Sequence, residues 1–324
     1  MEVSVFVPAH ITGFFSTYND KNPLKKGSCG AGVLIDKGVV TTVKIKRKSL
    51  NNEKKLETPV AITINRKIDT KNEIISRKTI SLFKKELSLD LNYDIAINHD
   101  IQVPIGAGFG TSASCALGTA IGLSKILKPH LRIIKACQIA HIAEINLGSG
   151  LGDVLSQTSK GIVIRESPGA PGIGKVKNII PGEINNNSYL KDITQEDTCS
   201  EICLLSKTFG KIETSSIIQN PAEIKNINKI GLLMQKKIVK TPSIENFMEC
   251  SYEFGKKTGL MNSKVSAIVE DLKKYTIGSS MAMLGNTVFA LSKKEDIHNI
   301  EDINEFTVFN IYNEGIKINN QSIN

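Results

Sequence analysis

Gly106, Gly108 and Gly110 fall within five positions of VPIGAGFGTSASCALGTA, Val103 to Ala120, and Thr111 and Ser112 follow at once. A glycine-rich loop between a strand and a helix brings backbone N–H groups close to an anion, and the helix N-terminus adds partial positive charge. Two anion-binding patterns can be set aside. A dinucleotide site needs GxGxxG and an acid about twenty residues on for the ribose; here the spacing is GxGxG, and no Asp or Glu lies between Asp100 and Glu144. A Walker A loop ends in Gly-Lys-Ser/Thr, whereas Gly110 is followed by Thr111 and Ser112. Two readings stay open on the pattern alone. One is a lysine-free phosphate loop whose Thr111 and Ser112 hydroxyls hold phosphate oxygens or Mg2+, with Lys125, Lys128, Arg132 and Lys135 in the acid-free stretch beyond. The other is close helix packing through small residues, which also accounts for Ala113, Ala116 and Gly118.

The elements around this loop follow from residue periodicity. EVSVFVPA alternates Val3, Val5 and Val7, a strand that Pro8 is expected to stop. GAGVLIDKGVVTTVKIKRKS reads as further strands with a turn near Asp36–Gly38, and the basic stripe of VKIKRK reads as a solvated strand face in preference to an anion surface. A strand from Ile95 to Val103 leads into the glycines, and Ser112 to Leu127 is a helix of small and aliphatic residues. RIIKACQIAHIAEIN reads as an amphipathic helix, GIVIRE as a strand and SPGAPGIG as a loop. Beyond about residue 180 Asn, Lys and Ile increase; PGEINNNSYLKD reads as a surface connection, EICLLSK and NTVFALSK as strands, SIENFMECSYEFGKKTGL as helical and GIKINNQSIN as a frayed end. Strands and helices without strict alternation indicate an α+β protein in two lobes.

A chain of 324 residues with 40% hydrophobic and 23% charged content fits about two globular domains. The formal charge of +9 favours anionic partners, but only 5% of residues are aromatic and none is Trp, so platforms for stacking nucleic-acid bases are scarce. The six cysteines form no CxxC pair and the five histidines are scattered, so no zinc spacing arises and reduced thiols in a cytoplasm are expected. MEVSVFVPAH lacks the basic start and long apolar core of a secretory signal. Ile101 to Ser124 carries no charge, yet Pro104 and five glycines make it too broken for a lipid-facing helix. A soluble protein is expected.

PIGAGFGTSAS resembles the second motif of the GHMP kinases, Pro, two or three residues, then Gly-Leu-Gly-Ser-Ser-Ala, with Phe109 for Leu and Thr111 for the first Ser. VPAHITGFF resembles the first motif, with His10 where many members carry Lys, and GSSMAMLGNTVFAL resembles the third. Within that superfamily, FVPAHITGFF, GSCGAGVLID, PIGAGFGTSAS and GDVLSQTSKGIVIRESPGAPGIG together resemble the archaeal pantoate kinases, which more often have Gly at the position of Ala9 and Arg at that of Cys29.

The resemblance implies the two-lobed GHMP kinase fold, with a ribosomal-protein-like α/β lobe over residues 1–175 and an α+β lobe over 176–324. It implies ATP and Mg2+ as cofactors and phosphorylation of pantoate to 4-phosphopantoate on the route to coenzyme A. Pro104, Gly106, Ala107, Gly108, Phe109, Gly110, Thr111 and Ser112 would then form the ATP phosphate cradle, with Ser112 and Glu144 on the metal. Mg2+ typically takes one or two protein carboxylates plus water and phosphates; the alternative for Glu144 is a solvated helix carboxylate. Asp153, after GSGLG, would aim or deprotonate the attacking hydroxyl, the alternative being a helix N-cap. His10 and Ser28 are placed at the substrate by the same resemblance, and His10 read alone is a structural histidine. Arg165 is the candidate for a substrate carboxylate, because its fork of donors matches that geometry; otherwise it is a surface Arg at a strand end. Ser28, Gly30 and Gly278–Gly285 are expected as loop contacts, while His99, His130, His141 and the cysteines receive no role. The partners expected are ATP and a small molecule, with no nucleic acid and no membrane, and a homodimer is left open. Another GHMP kinase acting on mevalonate, shikimate or homoserine, or a non-catalytic RNA-binding protein, are the competing functions.

Overall fold

The structure is a computed structural model that describes residues 1–47, 59–88, 93–181, 201–210 and 221–321. Its first sheet is built on a long hairpin of β1 (Glu2–Tyr18) and β2 (Gly27–Arg47). Pro8 does not stop β1. The register shifts between Pro8, opposite Gly38, and Ala9, opposite Ile35, so the missing N–H of proline falls at a β-bulge, where the ladder is already interrupted. The turn expected at Asp36–Gly38 is the other side of the same bulge, and β2 runs through it.

The second half of β2 pairs with β4 (Tyr93–Ile101), which lies parallel to β3 (Val60–Ile64). The first half pairs with β5 (Ile162–Ser167), itself paired with β6 (Lys175–Ile179). The tail expected to fray forms β11 (Lys317–Gln321), antiparallel to the start of β1. Its alternate Ile316 and Ile318 pack on the core, which a polar composition conceals. Residues 322–324 lie outside the described chain, as does the PGEINNNSYLKD connection from Gly182 onward.

Helices α1 (Ile74–Glu86), α2 (Thr111–Leu127) and α3 (Ile133–Leu147) cover one face of this sheet. α2 carries no charge before Lys125, and from Thr111 to Ser124 every residue but Ser112 is buried. A Cβ on Gly118 would lie 2.1 Å from Thr41 Oγ1, and one on Gly122 2.5 Å from a Val43 methyl, so these two glycines set the helix against β2. Close packing is therefore the task of the later glycines.

The second sheet has the order β10 (Thr307–Asn310), β7 (Ile202–Gly210), β9 (Asn286–Lys293), β8 (Gly278–Met281). With it come α5 (Pro221–Lys240), α6 (Ile244–Thr258) and α7 (Ser263–Leu272). Ser243 caps α6 by accepting from Asn246 N, Gly259 ends it in the left-handed conformation, and Asn262 caps α7 through Val265 N. The far end of β1 enters this half: Phe14 and Phe15 share a core cluster with Phe247 and Phe254, the Phe15 and Phe254 rings being 5.7 Å apart. One hairpin thus spans both halves, and the short helix α4 (Asp153–Gln157) lies beside it.

Candidate active site

The loop between β4 and α2 is held from below and bare above. Gly106, Gly108 and Gly110 have φ of 74°, 88° and 64°, a region open to glycine at little cost, while Ala107 and Phe109 point into the core. Thr287 Oγ1 donates to Ala107 O at 2.8 Å, and His10 N donates to Phe109 O at 3.1 Å. A Cβ on Gly285 would lie 2.1 Å from Ala107 O, so the β8–β9 loop packs backbone on backbone against the glycines. Gly110 precedes α2, whose first turn carries no acid and no side-chain cap. Its free N–H groups and dipole suit an anion. Pro104 is exposed and, with Ala107, does not line the cleft; Gly106, Gly108, Phe109, Gly110, Thr111 and Ser112 do.

Across the cleft, Glu144 near the end of α3 is 2% exposed rather than solvated. Its Oε1 accepts from Ser112 Oγ at 2.5 Å and from Ser149 Oγ at 2.6 Å. Burial pushes its carboxyl up to about 7, against the pull of these two hydroxyls, and Asp153 adds to the rise. A buried carboxylate with a facing hydroxyl is a hard-oxygen donor pair that fits Mg2+. Among the described residues no group of three or more His, Cys, Asp or Glu side chains could hold a metal, so phosphate oxygens and water would have to complete its shell.

Asp153 begins α4 and does not cap it; Gly152 occupies that position. Its Oδ1 lies 2.7 Å from His10 Nδ1 and accepts a longer bond, 3.4 Å, from Thr12 Oγ1. Burial alone would raise the Asp153 carboxyl, but His10, Arg165 and Thr12 outweigh it and hold it below its ordinary value. Burial lowers His10 more than the Asp153 bond raises it. The pair is a neutral imidazole donating through Nδ1–H to an ionised carboxylate. His10 is fully buried and lies behind Asp153, and the side-chain contact it makes here is to that carboxylate.

Arg165 is 1% exposed, not a surface residue. Its Nη1 donates to Ser156 Oγ at 2.7 Å, and its Nε has no hydrogen-bond partner among the described residues. A Cβ on Gly152 would lie 2.3 Å from Ser28 Oγ and 2.7 Å from Arg165 Nε, so these donors meet over a bare glycine beside Asp153. Ser28, at the start of β2, and Met283 and Leu284, in the β8–β9 loop, line the cleft; Gly30 does not, and its Cβ position is blocked by Phe14 O at 2.2 Å.

The sequence reading missed Thr12, Ser149, Ser156 and Gln157. Thr12 was open to inference from strand periodicity, being two residues from His10 on the same face of β1. Ser149, inside the GSG turn after Glu144, carried no signal of its own.

The GHMP kinases N terminal domain matches residues 74–161, which hold the glycine loop, Glu144 and Asp153. Pantoate kinase of Methanocaldococcus jannaschii is 38% identical over 310 residues, covering 95% of this chain and 100% of that protein. The chain belongs to the pantoate kinase family. Pantoate kinase of Thermococcus kodakarensis is 31% identical, over 98% of each chain. A solved phosphotransferase related to the CoA biosynthesis pathway superposes with a TM-score of 0.82 at 30% identity, over 98% of this chain and 99% of that one. A mevalonate kinase superposes at 0.61 with 18% identity, which shows the shared fold. As in other members of the superfamily, this pantoate kinase family chain mixes helices and strands in the α+β GHMP arrangement. No helix among its described residues is long and apolar enough to cross a membrane.

Proposed function

We propose that this chain transfers the γ-phosphoryl group of ATP to the terminal hydroxyl of pantoate, giving 4-phosphopantoate for coenzyme A synthesis in the cytoplasm. The full-length similarity to two archaeal pantoate kinases supports the substrate. The observation that carries the chemistry is the meeting of Arg165 Nε and Ser28 Oγ over Gly152, next to an ionised Asp153. A carboxylate-bearing alcohol bound there would place its acid on the guanidinium and its hydroxyl toward Asp153.

Phosphoryl transfer depends mainly on positioning and charge neutralisation. In this reading Gly106 to Ser112 cradle the phosphates through backbone N–H groups, and Thr111 adds a hydroxyl. Ser112 and Glu144 hold Mg2+, which when bound neutralises charge on the transferring phosphoryl oxygens. Asp153 accepts the hydrogen bond of the pantoate hydroxyl and aims it. His10, neutral and buried, fixes the rotamer of Asp153. Phe15, Met283 and Leu284 offer apolar walls for the two methyl groups. The division that goes with this reading is a lobe of residues 1–175 bearing the cradle and a lobe of residues 176–324, the last strand returning to the first.

The test is ADP release with MgATP and, in turn, pantoate, pantothenate, mevalonate, shikimate and homoserine. Turnover confined to pantoate is expected. Turnover with a different acceptor would leave the cradle standing and overturn the acceptor site; silence across the panel would overturn both.

A further inference from the structure

The acceptor hydroxyl is aimed from α4, whereas the phosphates are held by the β4–α2 loop, more than forty residues earlier. In-line attack needs these two parts in fixed register, and a shift of about 1 Å can cost on the order of a hundredfold in rate. Gln157 joins them. Its Nε2 donates to Gly110 O at 3.0 Å and to Ser114 Oγ at 2.9 Å, one acceptor in the glycine loop and the other in the first turn of α2. Gln157 stands one helical turn after Asp153, and both reach over the same glycine: a Cβ on Gly110 would lie 2.9 Å from Gln157 Nε2 and 3.4 Å from Asp153 Cγ.

We infer that Gln157 is a positioning residue that holds the Asp153 carboxylate in register with the phosphate cradle. The inference rests on the roles proposed above for Asp153 and the glycine loop. Gln157 is fully buried and does not line the cleft, so it touches neither ligand. Its Oε1 has no hydrogen-bond partner among the described residues. A buried amide oxygen left unpaired costs stability, and an apolar side chain of equal length would fill the space without that cost. The two Nε2 bonds are what an amide adds at this position. The same short helix also fixes the acceptor side, because Ser156, the neighbour of Gln157, receives Arg165 Nη1. One turn of helix therefore ties phosphate loop, carboxylate and guanidinium together.

The test is a double-mutant cycle on the full chain, with Gln157→Met, Asp153→Asn and the pair, reading kcat, KM for MgATP, KM for pantoate and MgADP affinity by calorimetry. Gln157→Met is expected to lower kcat about 10- to 100-fold with both KM values and MgADP affinity within about threefold of wild type. In the Asp153→Asn background it is expected to cost less than about threefold, since the carboxylate it aims is gone. A kcat within threefold of wild type, an effect confined to KM, or an equal loss in both backgrounds would overturn the inference while the proposed function stands. Full turnover by Asp153→Asn would overturn the role of Asp153 and the inference with it. Should Gln157→Met not fold, Gln157→Leu, which also removes the donor and brings no charge, is read by the same criteria.

Discussion

His10 Nδ1 lies 2.7 Å from Asp153 Oδ1, across 143 positions of sequence, with the imidazole fully buried and the carboxylate about a quarter exposed. The histidine reaches the carboxylate from behind and leaves its open side to the cleft. A neutral donor here orients Asp153 without the charge that a lysine would bring. Its Nε2 faces the bare backbone of Gly32, where a Cβ would lie 2.3 Å away, and has no hydrogen-bond partner among the described residues.

His10→Asn presents an amide donor near the Nδ1 position, whereas His10→Leu presents none. The expected result is a kcat within about tenfold of wild type for His10→Asn and a loss of about 100-fold or more for His10→Leu, with MgATP affinity unchanged in both. Equal loss in the two variants, measured by ADP release and calorimetry, would show that the hydrogen bond is not what His10 supplies.

Gly152→Ala puts a methyl group 2.3 Å from Ser28 Oγ and 2.7 Å from Arg165 Nε. KM for pantoate is expected to rise by about tenfold or more, while KM for MgATP stays near wild type, because the cradle lies on a different loop. A change shared equally by both substrates would place the effect in folding instead of the acceptor pocket.

Ser112→Ala and Glu144→Gln each remove one member of the proposed metal pair, which stands 2.5 Å apart. Both variants are expected to need at least about tenfold more Mg2+ for half-maximal turnover, and to bind Mn2+ with nucleotide more weakly when titrated by electron paramagnetic resonance. Unchanged Mn2+ binding in both would remove the metal from this pair.

His99 gives the clearest dependence of stability on pH. It is fully buried between Thr41 Oγ1 (2.9 Å) and Ser76 Oγ (2.8 Å), and burial lowers it from 6.5 to about 4, with Asp100 opposing. The unfolded chain therefore binds a proton here that the folded chain refuses between those two values. This contribution is complete above pH 6.5 and lost as pH falls towards 4, by about 3 kcal/mol in all. Urea titrations of wild type and His99→Gln from pH 7.5 to pH 4.5 should show the wild type losing more stability on acidification; parallel curves would count against it.

Much of this arrangement was legible in residue order, and the limits were physical. The alternation of Val3, Val5 and Val7 disclosed a strand, and the small and aliphatic residues from Ser112 to Leu127 disclosed a helix, which forms over Thr111–Leu127. The glycine loop disclosed a backbone able to approach an anion, but the same letters fitted helix packing. Only the placement separates Gly106, Gly108 and Gly110 at the cleft from Gly118 and Gly122 against β2. Pro8 misled because a proline stops a strand or marks a bulge according to what the partner strand does, and the partner is 30 residues away. Arg165 and Glu144 carry charges that ordinarily seek water, so their burial follows from the elements around them, not from their neighbours in sequence. The contacts of His10, Gln157 and Ser149 are long-range or fall in irregular turns, where no periodicity announces them.

The pairing of Glu2 with Gln321 and of Phe6 with Lys317 also bears on how the protein is made. β1 is the first described strand to leave the ribosome, and its outer edge gains its neighbour only after nearly all the rest has been synthesised. At ordinary elongation rates that wait lasts roughly 15 to 60 seconds, and an open strand edge is a template for pairing with other nascent chains. The burden of biogenesis therefore falls on the interval before the final strand arrives, and slower elongation, by lengthening that interval, raises the need for holding chaperones.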